Sequence, residues 1–211
     1  MIELDIFSDT VCPWCYIGKK RLEKAINNHK NLEFKQTWRP FQLNPGMPPD
    51  GMDRQEYLIS KFGSADAAKT IYDNIYDEGL LEGINFNFDS IQTTPNSFNS
   101  HRLLALAYKQ GIQENVLDSL FESYFLNGED IGDPNILLDI AIKHQIDDED
   151  FKTYLSDQEN IEPLANEELE ARKMGINSVP TFIVNKQIVI NGAQTSENFD
   201  IIFKKLTGNI N

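Results

Sequence analysis

Cys12 and Cys15 are the two cysteines of this 211-residue chain, and they stand three residues apart where a strand-like alternation gives way to a helical one. Two positions three apart at the start of a helix lie on nearly the same face, so a disulfide between them can close and open without moving the backbone far. Helix-terminal N–H groups and the helix dipole favour negative charge beside Cys12, and hence its thiolate. Stabilising that thiolate speeds attack only a few-fold, because nucleophilicity falls with basicity; the larger effect is to make Cys12 the better leaving group. Cys12, just ahead of Pro13, is expected to meet solvent, and Cys15, inside the first turn, to be shielded. The spacing therefore points to reversible dithiol chemistry, with Pro13 restricting the loop and Trp14 offering an aromatic contact surface.

Other uses of the pair fit less well. A zinc site needs further ligands, and the chain offers His29, His101 and His144 on separate predicted helices, so no metal is expected. A structural disulfide closing so short a loop removes little unfolded-state entropy. A second motif, Ser178-Val179-Pro180-Thr181-Phe182, opens a strand just after a helix ends at Gly175. Pro180 reads either as an ordinary trans proline at a strand start or as a cis proline that turns the polar groups of Val179 outward. His101 falls on an amphipathic helix, where a satisfied boundary histidine is the commoner reading than a catalytic one. Asp9 reads as a loop and capping acid in preference to a charge acting on the thiols. Gln194 either lines the site or caps the last turn.

The elements that must carry these residues are legible from the apolar period. Ile2, Leu4 and Ile6 alternate with Glu3 and Asp5, Pro13 suits a first helical position, and Leu32 to Trp38 reads as a second strand, completing a β-α-β unit. After the Pro-rich stretch from Pro40 to Pro49 the pattern turns helical, with helices expected near 53–62, 64–82, 96–110, 113–127, 134–143 and 159–174. The acidic run at Asp147 to Asp150 sits where a helix would begin. Gly111, Gly128 and Gly175 stand at helix ends, and Asp133-Pro134 reads as an N-cap and first helical residue. Strands return at 181–185 and 187–191, and a last helix covers 196–206. Four strands, 2–7, 33–38, 181–185 and 187–191, are expected in one sheet, with 53–174 almost entirely helical. The expected division is 1–45 with 175–211 as one domain and 46–174 as an all-helical insertion.

A net charge of −14 disfavours nucleic acid and anionic membranes as partners. No apolar run approaches the ~20 residues of a membrane span, and the N-terminus lacks a basic segment followed by an apolar stretch, so a cytoplasmic location is expected.

Cys-x-x-Cys after the first strand, with Val-Pro-Thr before a closing β-β-α, resembles the thioredoxin superfamily, and the intervening helical block is similar to the DsbA family. More narrowly, Ser8 to Gly18, Trp38 to Pro45, Asn99 to Leu103 and Asn191 to Gln194 resemble its FrnE-like branch. The resemblance implies an α/β thioredoxin fold with a large helical insertion and a dithiol-disulfide oxidoreductase or isomerase activity. Cys12 would be the nucleophile, Cys15 the resolving thiol, and Val179 with a cis Pro180 the substrate-docking edge, flanked by Pro13, Trp14, Thr181 and Gln194. The family commonly has glycine where this chain has Ser178. Implied partners are protein thiols and disulfides or small disulfides. No cofactor is expected beyond the redox-active pair, recycled by glutathione or a thioredoxin-type reductant. Two alternatives stand beside this reading. One is a glutathione-dependent isomerase or transferase of the 2-hydroxychromene-2-carboxylate isomerase or kappa type, whose members usually carry serine at the position of Cys12. The other is a peptide-binding module without catalysis.

Overall fold

The structure, a computed structural model, describes residues 1–206 and 208. Strand β1 (Ile2–Ser8) leads through a short turn into helix α1 (Pro13–Asn28), and β2 (Phe34–Pro40) returns parallel to β1 with Ile6 beside Trp38. Far along the chain, β5 (Thr181–Val184) and β6 (Ile188–Asn191) form a hairpin, and β5 pairs antiparallel with β1, placing Phe182 opposite Ile6. The sheet order is β2-β1-β5-β6. Helix α9 (Ser196–Leu206) packs with α1, burying Phe199 and Phe203. The alternation read in the sequence decides the two faces. Ile2, Leu4 and Ile6 enter the main core, whereas Phe7 joins Phe41, Ala171 and Ile176 in a small cluster of its own.

Between the halves run α2 (Arg54–Phe62), α3 (Ala65–Leu81), α4 (Phe98–Lys109), α5 (Gln113–Phe125), α6 (Pro134–Lys143), α7 (Asp148–Ser156) and α8 (Ile161–Lys173). Asp133 and Pro134 cap and start α6 as expected, and Gly111, Gly128 and Gly175 have φ of +75°, +74° and +89°. One detail differs from the sequence reading. The segment is not all-helical: β3 (Met52–Asp53) and β4 (Thr93–Thr94) form an antiparallel ladder too short to show a period. The acidic run opens a helix as expected, α7, held by the Asp147 cap and by burial of Phe151.

The motif helix is tied to this segment by aromatic and ionic contacts. Tyr16 stacks on Phe121 of α5 at 4.9 Å between ring centres, and Phe86, Phe88 and Phe125 extend the cluster. Lys19, wholly buried, pairs with Glu23 and with Asp118 of α5. Along the outer edge of β2, the Gln113 side chain acts as a strand partner: its Oε1 accepts from Trp38 N at 2.9 Å and its Nε2 donates to Trp38 O at 2.9 Å. Among the described residues no helix is long and apolar enough to cross a membrane.

Candidate functional site

The turn between β1 and α1 is fixed from three sides. Asp9, fully buried, accepts from Leu43 N through Oδ2 at 2.6 Å and from Val11 N through Oδ1 at 3.4 Å, while its carbonyl accepts from Cys12 N at 3.1 Å. The Thr10 and Ser100 hydroxyls meet at 2.6 Å, and His101 Nε2 lies 3.4 Å from Asp9 Oδ1, so the first turns of α4 grip the same loop. Asp9 is thus a loop acid but not a helix cap: its carboxylate is spent on Leu43 and Val11, and α1 has no side-chain cap. Cys12 then occupies the N-cap of α1, its carbonyl accepting from Cys15 N at 3.0 Å and Tyr16 N at 3.4 Å.

Both thiols are free, and both are buried, at 4% and 0% exposure for Cys12 and Cys15. Shielding of Cys15 agrees with the sequence; the solvent contact expected for Cys12 does not. The reason is the opposing wall. The Val179–Pro180 bond is cis, and Val179 O stands 3.8 Å from Cys12 Sγ, covering the thiol that an isolated helix end would expose. Trp14 remains half-buried beside it.

Thr181 is held in this wall through Oγ1, which donates to Ser178 O at 2.8 Å and lies 3.2 Å from Asn191 Oδ1. Pro180 O accepts from Gly192 N at 2.8 Å. Gly18, two residues past Tyr16, permits the close approach of helix and wall: a Cβ there would stand 3.0 Å from Pro180 Cγ, 3.3 Å from Phe182 Cζ and 3.5 Å from Ala193 Cβ. Arg21 fastens the same loop, donating to Ala193 O at 2.7 Å while paired with Glu82 and Glu78. Gln194 donates to Asn191 O and accepts from the Asn198 side chain. Arg21 was not singled out in the sequence, because a lone arginine carries no motif, and Gly18 figured there only as the end of the Ser8 to Gly18 segment. Overfilling that contact gives a direct test: Gly18→Val is expected to cost about 1–3 kcal/mol in urea unfolding and to slow disulfide exchange, since the displaced wall carries Val179.

Burial, aided by the hydrogen bond and charge of Cys12, pushes the Cys15 thiol well above its ordinary value, while the Ser8 hydroxyl and the Asp9 backbone favour its thiolate. The folded protein therefore keeps the Cys15 proton longer than the unfolded chain does. Stability from this source is complete below the ordinary thiol value of about 8.5 and is lost as pH rises above it. The urea midpoint of the reduced protein should fall between about pH 8 and pH 10, and fall less in Cys15→Ser. An equal fall in the variant would show that Cys15 is not responsible.

The three histidines stand apart: His29 meets Asp200 and His144 meets Ser119, while His101 Nε2 lies 3.4 Å from Asp9 Oδ1 without a hydrogen bond, so it is not the satisfied histidine expected. A cavity of about 520 Å³ between α2 and α3 is lined by residues such as Arg54, Tyr72 and Phe88 and holds none of the candidate site residues.

A family model described as a DSBA-like thioredoxin domain matches residues 3–203. The uncharacterized protein YwbO of Bacillus subtilis is 27% identical over 208 residues, covering 94% of each chain. Among solved structures, the probable DsbA oxidoreductase of Streptomyces coelicolor superposes with a TM-score of 0.88 at 28% identity, covering 100% of this chain and 92% of that one. The cytosolic disulfide reductase DsbM of Pseudomonas aeruginosa, solved with GSH, shares the fold with a TM-score of 0.69 at 15% identity over 98% and 99% of the two chains.

Proposed function

The chain belongs to the DSBA-like thioredoxin domain family, and on that premise we propose that it exchanges disulfides with protein thiols or small disulfides through Cys12 and Cys15. The observation that carries this reading is the pairing of two adjacent thiols at a helix start with the Val179 carbonyl 3.8 Å from Cys12 Sγ. An extended substrate aligned on the Val179 backbone brings its disulfide to Cys12, with Pro13, Trp14 and Thr181 around it. The Cys12 thiolate attacks one substrate sulfur, forming a mixed disulfide and releasing the other as a thiolate. Cys15, deprotonated in turn, attacks Cys12 Sγ; the second substrate thiolate leaves, and the Cys12–Cys15 dithiol, having given up two electrons to the substrate, is now a disulfide. Glutathione or a thioredoxin-type reductant restores the dithiol, and the same steps reversed oxidise a substrate. A cytoplasmic setting fits this cycle because such reductants are supplied there.

Equilibration in glutathione buffers, with an insulin-reduction and a disulfide-reshuffling assay, tests the proposal. A redox transition of the Cys12–Cys15 pair with turnover in either assay is expected. A pair that never cycles, or a glutathione-dependent isomerisation that proceeds unchanged in Cys15→Ser, would replace it by the isomerase reading, in which a resolving thiol has no purpose.

A further inference from the structure

His101 belongs to two settings: it meets Asp9 under the motif loop, and it lines a groove of about 360 Å³ between α4 and α8, floored by the edge of β2. The volume is in the range of small-molecule sites. Leu104 and Ala105 of α4 and Leu164 of α8 make the walls apolar. Trp38, His101 and Lys109, which line this groove, each carry a polar group with no hydrogen-bond partner among the described residues, in His101 the Nε2 atom. Trp38 lines it, and its buried indole N–H has no hydrogen-bond acceptor among the described residues. An indole nitrogen can only donate, so an occupant that satisfies it must bring an acceptor. Lys109 lines it as well, and its ammonium faces the Tyr154 ring at 4.8 Å with no carboxylate in ion-pair reach among the described residues. The other lining cation, Arg39, is already neutralised by Asp5 and Glu167.

We infer that this groove binds a small amphiphilic monocarboxylate, its hydrocarbon body against Leu104, Ala105 and Leu164 and its anionic head towards Lys109. A dianion would leave one charge uncompensated beside Glu167, and a cation would oppose Lys109; a single carboxylate matches both the free charge and the need for an acceptor. Neither thiol lines the groove, and the inference stands whether or not the redox reading does.

Octanoate is the probe, and octylammonium of equal chain length its charge-reversed control. In a Trp14→Phe protein, Trp38 is the remaining indole and reports directly on the groove. Octanoate should change its emission saturably, octylammonium should bind at least about tenfold more weakly, and Lys109→Ala should weaken octanoate roughly tenfold. Ala105→Phe, which fills the groove, should abolish the change. No saturable signal below about 10 mM octanoate overturns the inference, an affinity limit corresponding to only ~3 kcal/mol. Equal binding of octylammonium, or octanoate binding untouched by both Lys109→Ala and Ala105→Phe, overturns it too.

Discussion

Cys12→Ser is expected to lower exchange turnover by at least about a thousandfold, whereas Cys15→Ser should accumulate covalent adducts with substrate proteins. The asymmetry rests on position. Cys12 faces the Val179 backbone on which a substrate would align, while Cys15 is fully enclosed and its proton is held by burial. On the proposed reading a substrate disulfide reaches Cys12, and Cys15 meets only the mixed disulfide formed one turn away. Intramolecular attack by a well-placed group corresponds to effective concentrations of ~10⁵ M or more. Losing Cys15 replaces that step with slow attack by free thiol, so the adduct should persist on a non-reducing gel and in intact mass. Full turnover by Cys12→Ser, or adducts trapped on Cys15, would refute the assignment.

Asp9→Ala should be among the most destabilising single substitutions near the site, at about 2–4 kcal/mol in urea unfolding. Its carboxylate is fully buried and accepts from the backbone of Leu43 and Val11, so alanine removes the acceptor of both N–H groups from the interior of the loop. Because the same residue's carbonyl positions Cys12 N, exchange should slow even where the protein remains folded. Asp9→Asn retains a carbonyl oxygen for Leu43 N and should cost less than half as much. A cost under about 0.5 kcal/mol for alanine would mean that the loop holds itself, as surface positions do.

How far the sequence reached depended on the kind of signal. The four strands and the motif helix were legible because Ile2, Leu4 and Ile6, Pro13, and the run at Thr181 to Val184 carry period and punctuation. The β3–β4 ladder was not, since two residues cannot display alternation. At the site, Cys12, Cys15 and Pro180 were found by motif, and the structure brings Cys12 and Val179 together across 167 residues of chain. The supports of that meeting were invisible: the Thr10–Ser100 contact spans 90 residues, and Arg21 reaches Ala193 over 172. Such contacts exist only once the chain has folded back on itself. The burial of Cys12 belongs to the same class, because the wall that covers it comes from the distant half of the chain.

The Gln113 amide that brackets Trp38 also decides where this sheet can meet another polypeptide. Unpaired N–H and C=O groups on an outer strand invite edge-to-edge polymerisation. On the β2 flank the central pair is occupied by a side chain that cannot itself be extended, and Pro40, with no N–H, closes the end of the strand. The sheet is therefore polar in its capacity to grow: β6, with Val189 exposed, is the flank where a further strand could add, and fibril-like stacking that needs both edges has no second side from which to propagate.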